Sequence, residues 1–139
     1  MNTRDQYELF RYLIEQNCLR PEDMVFVADI AAWCAAQGID EPDRERPLKI
    51  IPGDGGCTVV IREDIPDRVL EERINALRIR SQTRNVAVDR GDLLNSERKK
   101  IAFLFLSEFA ATLPDVAGDE LAADDWALRE MERLGFFRA

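Results

Sequence analysis

The sequence predicts an α+β protein: a helical hairpin, then a central β-hairpin, then helices that pack on one face of a small antiparallel sheet. Three observations lead there. Apolar residues recur at helical spacing before Gly38 and again beyond Asp67. Between Leu48 and Ile61 the period changes to alternation, and a glycine-rich segment divides that region in two. At 139 residues the chain is expected to form a single globular domain over 1–139, able to bury a core without disulfide or metal staples.

Taken in order, Thr3-Arg4-Asp5-Gln6 has the pattern of a capping box, and Tyr7, Phe10, Leu13 and Ile14 give residues 4–16 one apolar face. Pro21-Glu22-Asp23 places proline and acids where a helix begins, so a second helix is expected to run to about Gln37, with Gly38 as its stop. The charged segment 39–47 reads as a loop. Leu48–Ile51 and Cys57–Ile61 are β-branched and apolar, as strands require. A further helix opens at Ile65-Pro66-Asp67, with Leu70, Ile74 and Leu77 on one stripe, and Val86-Ala87-Val88 is a candidate third strand. Ser96 opens a helix to about Thr112 that is apolar almost all round, the mark of a central helix. Asp119 caps the last helix, which Gly135 ends before Phe136 and Phe137. A winged helix is a weaker alternative, because only two helices precede the hairpin. A nearly all-helical domain with one hairpin is the other.

Composition narrows the function classes. The net charge is −8, which disfavours nonspecific binding to polyanions. That charge is unevenly spread: residues 1–72 hold 8 basic and 16 acidic groups, residues 73–100 hold 8 and 3, and residues 101–139 hold 3 and 8. The polar N-terminal stretch and the shortness of the apolar run Ile101–Leu106 imply a cytoplasmic protein that does not enter a membrane. Three cysteines without C-x-x-C spacing imply reduced, structural thiols.

The segment Pro52-Gly53-Asp54-Gly55-Gly56-Cys57 is the one stretch that resembles chemistry. A phosphate loop needs a helix N-terminus directly after its glycines. Here a strand former follows, so the segment reads as a hairpin turn. Cys57 lacks a histidine to activate it, because the chain contains no histidine at all. The same absence removes Ser-His-Asp catalysis and His-containing zinc sites. Acid pairs such as Asp124-Asp125 and Glu71-Glu72 stand on helices, where neighbours point about 100° apart and cannot converge on one substrate atom.

Two clusters remain. Arg78, Arg80, Arg84 and Arg98, within the basic segment 73–100, are candidates for binding an anion or an acidic partner. The competing reading pairs these arginines with acids of the same chain. Trp126, Phe136 and Phe137 are candidates for a protein interface. The expected function is therefore non-catalytic binding of another macromolecule through protein–protein contacts, in the manner of an adaptor, chaperone-like binder, inhibitor or regulator. It needs no cofactor, and its partner is another protein or a second copy in a homodimer. The alternative is a nucleic-acid-binding regulator using segment 73–100, and the third reading is an enzyme with a carboxylate-held metal.

Overall fold

The computed structural model describes residues 2–17, 24–53, 56–83 and 93–137. Its elements are α1 (Thr3–Gln16), β1 (Met24–Val27), α2 (Ile30–Ala36), β2 (Leu48–Gly53), β3 (Gly56–Arg62), α3 (Asp67–Thr83), α4 (Glu97–Ala110) and α5 (Glu120–Arg133). The class is α+β, as the sequence predicts. By internal contacts the chain divides into two units, Asn2–Val69 and Leu70–Ala139, and the division falls within α3.

In the first unit α1 is capped one residue earlier than expected. Asp5 N–H donates to Asn2 Oδ1 at 2.8 Å, and asparagine outranks threonine as an N-cap. Gln6, expected to complete a capping box, is buried instead. Leu9, Phe10, Leu13 and Ile14 form the buried stripe of α1.

The expected helical hairpin is not formed. Residues 24–27, read as part of a second helix, are strand β1, and the helical part of that segment is only the seven-residue α2. The reason is pairing. Met24-Val25-Phe26-Val27 is β-branched and aromatic, and it lies parallel to β3 with Met24 opposite Val59 and Val27 opposite Arg62. Asp29 then starts α2, its carboxylate accepting from Ala32 N–H at 3.1 Å. At the far end Gly38 N–H donates to Ala35 O and Ile39 N–H to Cys34 O, with Gly38 at φ 76°. Those two bonds are a Schellman motif, and Ile39 completes it by packing on the buried cluster around Cys34.

The sheet has the order β1-β3-β2 and is mixed rather than wholly antiparallel. Val60 faces α2, where it is buried with Ile30 and Cys34 and flanked by Val27, Trp33 and Ile51. Val59 and Ile61 point to the opposite face with Leu48 and Ile50, all buried. Phe26 shares that second face, and its ring lies 5.8 Å from the Tyr7 ring of α1. Helices are thus not confined to one face of this sheet. Each fully buried Ile or Val contributes roughly 1.5–3 kcal/mol, so both faces hold the strands in register. The candidate strand at Val86–Val88 lies outside the described residues.

In the second unit α4 begins where Lys99 N–H donates to Ser96 Oγ at 3.2 Å, and α5 where Ala122 N–H donates to Asp119 Oδ1 at 3.1 Å. Ile101 through Leu106, Phe109 and Ala110 are buried, so α4 is the central helix its sequence predicts. It runs antiparallel to α5: Phe109 near its end meets Trp126, and Arg98 at its start meets Phe136. Gly135 N–H donates to Glu132 O and Phe136 N–H to Met131 O, with Gly135 at φ 84°. This second Schellman motif ties Phe136 to the end of α5 rather than leaving it on an irregular tail.

Candidate functional site

The glycine-rich segment resolves first. Pro52 pairs with Cys57 and Gly53 with Gly56 in the antiparallel β2–β3 ladder, while Asp54 and Gly55, where the turn is expected, lie outside the described residues. A strand follows the glycines, so no helix N-terminus converges on them. Cys34 is buried in the α2 cluster, and Cys18 lies outside the described residues. Among the described residues no group of three His, Cys, Asp or Glu side chains could hold a metal ion.

Glu71, Glu108, Glu120 and Asp124 pair instead with residues of the basic segment. Arg80 on α3 forms a two-pronged bridge to Asp124 on α5, Nε to Oδ2 at 2.6 Å and Nη2 to Oδ1 at 2.9 Å. Its third nitrogen, Nη1, reaches Glu120 Oε2 at 3.3 Å. Glu120 and Asp124 stand four apart on α5, so one helix face presents both to a single guanidinium. Asp124 is only 2% exposed, whereas the Arg80 side chain is 28% exposed. Hydrogen bonding to Asp124 raises the Arg80 pKa above its ordinary value, against the lowering effect of burial. Arg73 bridges to Glu108 at 3.0 Å, and Lys100 to Glu71. The Lys100 hydrogen bond holds the Glu71 carboxyl below the usual carboxylate range.

The remaining candidates differ in their surroundings. Arg78 donates to Asn75 Oδ1 at 3.3 Å on its own helix, and Arg84 lies outside the described residues. Arg98 is exposed, and its guanidinium carbon stands 5.6 Å from the centre of the Phe136 ring. Next to it, Lys99 Nζ stands 6.0 Å from the Phe137 ring centre and donates to Asn95 Oδ1 at 2.9 Å. Both phenylalanines are half-buried. Trp126 does not join them: it packs on Phe109 with ring centres 5.6 Å apart, toward the other end of the pair. A rise of 1.5 Å per residue separates it from the end of α5 by more than about 10 Å.

One charged cluster in the first unit was not singled out from the sequence. The Glu41 side chain, 3% exposed, accepts from Lys49 Nζ at 2.7 Å and lies 3.3 Å from Arg46 Nη1. Its other oxygen accepts from Asp43 N–H at 3.2 Å. Burial pushes the carboxyl pKa up, but the hydrogen bonds from Lys49 and Asp43 and the charges of Arg46 and Lys49 hold it below the usual range. The cluster fastens the polar loop to β2 and is structural in its geometry.

No protein-family model, curated protein or solved structure matches this chain. The site is therefore read from its own chemistry. Two cations seated on two half-buried aromatic rings, at the start of α4 and the end of α5, are its most distinctive surface.

Proposed function

We propose that this protein is a non-catalytic binding protein that docks another protein on the end of the α4–α5 pair formed by Arg98, Lys99, Phe136 and Phe137. The observation that carries the reading is the seating of Arg98 and Lys99 over the phenylalanine rings. Arginine and aromatic side chains are the residue types enriched where partners bind. A cation–ring contact at an exposed site is worth about 0.5–1 kcal/mol. That is little to give up when a partner covers the ring or draws the cation away. The nucleic-acid alternative has less support, because Arg80 is committed to Asp124 and Glu120. A reducing, cytoplasmic setting suits the buried Cys34 thiol, and no helix among the described residues is long and apolar enough to cross a membrane.

Affinity capture with the wild type, Phe137→Ala and Arg98→Glu tests the reading. Phe137 is chosen because its backbone lies beyond the two capping bonds that hold Phe136. A protein retained by the wild type and lost from both variants, at unchanged melting temperatures, supports the docking surface. Equal retention by all three, or a saturable shift of generic RNA or DNA at low salt, refutes it.

A further inference from the structure

Resting on that docking surface, we infer that its occupant is an acidic segment of another protein in which carboxylates are interleaved with apolar side chains. The inference comes from charge. Arg98, Lys99 and Lys100 stand in the first turn and a half of α4, where the helix dipole is positive and acids are the favoured residues. Three cations there reinforce the local positive potential. Lys100 is answered by a carboxylate of its own chain, Glu71. The contacts described for Arg98 and Lys99 are with two neutral rings and a neutral amide. Glu97 opens the same turn, and Glu130 at the end of α5 is taken by Arg133. The surface therefore offers two cationic positions beside two apolar rings, and a complementary chain needs carboxylates spaced by apolar side chains.

The other occupants fit less well. A second copy docked with its twofold axis through this patch would bring Arg98 and Lys99 of one chain near the same cations of its partner, a like-charge contact that costs several kcal/mol. A nucleic acid needs a run of cations along its phosphates, and the contacts described at this end of the α4–α5 pair set two cations against rings rather than in such a row.

Selection from a randomised short-peptide display library tests the inference on three targets: the wild type, the Arg98→Glu/Lys99→Glu double variant and Phe137→Ala. Peptides enriched on the wild type are expected to be net acidic with interleaved apolar residues, and to disappear from selections on the double variant. A synthesised winner should bind the wild type with an affinity that falls as salt rises, and bind Arg98→Glu at least about tenfold more weakly. Enrichment of neutral or basic peptides overturns the acidic occupant, yet leaves the docking surface standing if those peptides are lost on Phe137→Ala. If no peptide distinguishes the wild type from any variant, both readings fall. A dimer in sedimentation that dissociates on Arg98→Glu would overturn the inference in favour of self-association. Should the double variant fail to melt cooperatively, Arg98→Gln removes one charge without reversing it and carries the same comparison.

Discussion

Removing Arg80 should cost more stability than removing Asp124, although the two side chains form one bridge. Asp124 is 2% exposed, and in Arg80→Ala its carboxylate keeps only the partners left around a buried position. Breaking a buried pair in this direction costs about 3–5 kcal/mol at neutral pH, a large share of the 5–15 kcal/mol that holds a typical domain together. Asp124→Asn leaves a guanidinium that is 28% exposed, can hydrate, and still reaches Glu120, so about 1–3 kcal/mol is expected. The pH response separates the variants further. In Arg80→Ala the buried carboxyl gains a folded-state preference for its proton. The variant therefore recovers stability as pH falls toward the ordinary carboxylate range, by up to about 1.4 kcal/mol per unit. Asp124→Asn has no such carboxyl and shows no such recovery. The double change Arg80→Met/Asp124→Leu should return most of the loss, since packed apolar side chains replace a buried pair at little cost. Urea unfolding of the four proteins between pH 5 and pH 7 reads these numbers directly. Equal losses for the two single variants, or an Arg80→Ala loss that does not shrink with falling pH, would refute the reasoning.

Three further outcomes are expected. Glu41→Gln should cost about 1–3 kcal/mol at pH 7, because the charge-assisted bonds from Lys49 and Asp43 weaken. Since the folded-state pKa of Glu41 is depressed, its contribution is present above the unfolded value and is lost as pH falls through the folded one, so the variant and wild type should converge in acid melts. Gly38→Ala meets no atom within 4 Å, so its cost should be that of the left-handed backbone alone, about 1–2 kcal/mol by denaturant midpoint; a neutral change would contradict the Schellman cap. Cys34 should resist a thiol reagent in the native state and react on unfolding, and rapid native labelling monitored by mass would show that the α2 cluster opens.

The elements that were legible in the sequence are those whose signals are local. Ser96, Asp119, Gly38 and Gly135 each act within one helical turn, and each stands where its chemistry predicts. The hairpin was legible for the same reason, through glycines between two alternating runs. Strand β1 was not, because four residues following Pro21-Glu22-Asp23 carry a helix-start signal, and only the distant β3 makes them a strand. Partners in space were equally hidden. Arg80 could be named as an arginine with a task, but its choice of Asp124 depends on how α3 crosses α5. Likewise Trp126 and Phe136 look like one cluster in the sequence, and the length of α5 sets them apart.

The strand order has a consequence for how the sheet assembles. Strands β2 and β3 need only a two-residue connection to close, and hairpins of that kind form in about 1–10 μs. Pairing Met24 with Val59 must instead close a long loop that contains α2 and β2, and each doubling of loop length adds about 0.6 kcal/mol of entropy cost. The central strand β3 is therefore expected to be present as one half of a hairpin before β1 arrives, and α2, which packs on Val60, can form its contacts at the same stage as β1. Pulse-labelled hydrogen exchange during refolding should protect the amides of β2 ahead of those of β1. On this reasoning the strand that comes first in the chain should be the last to enter the sheet.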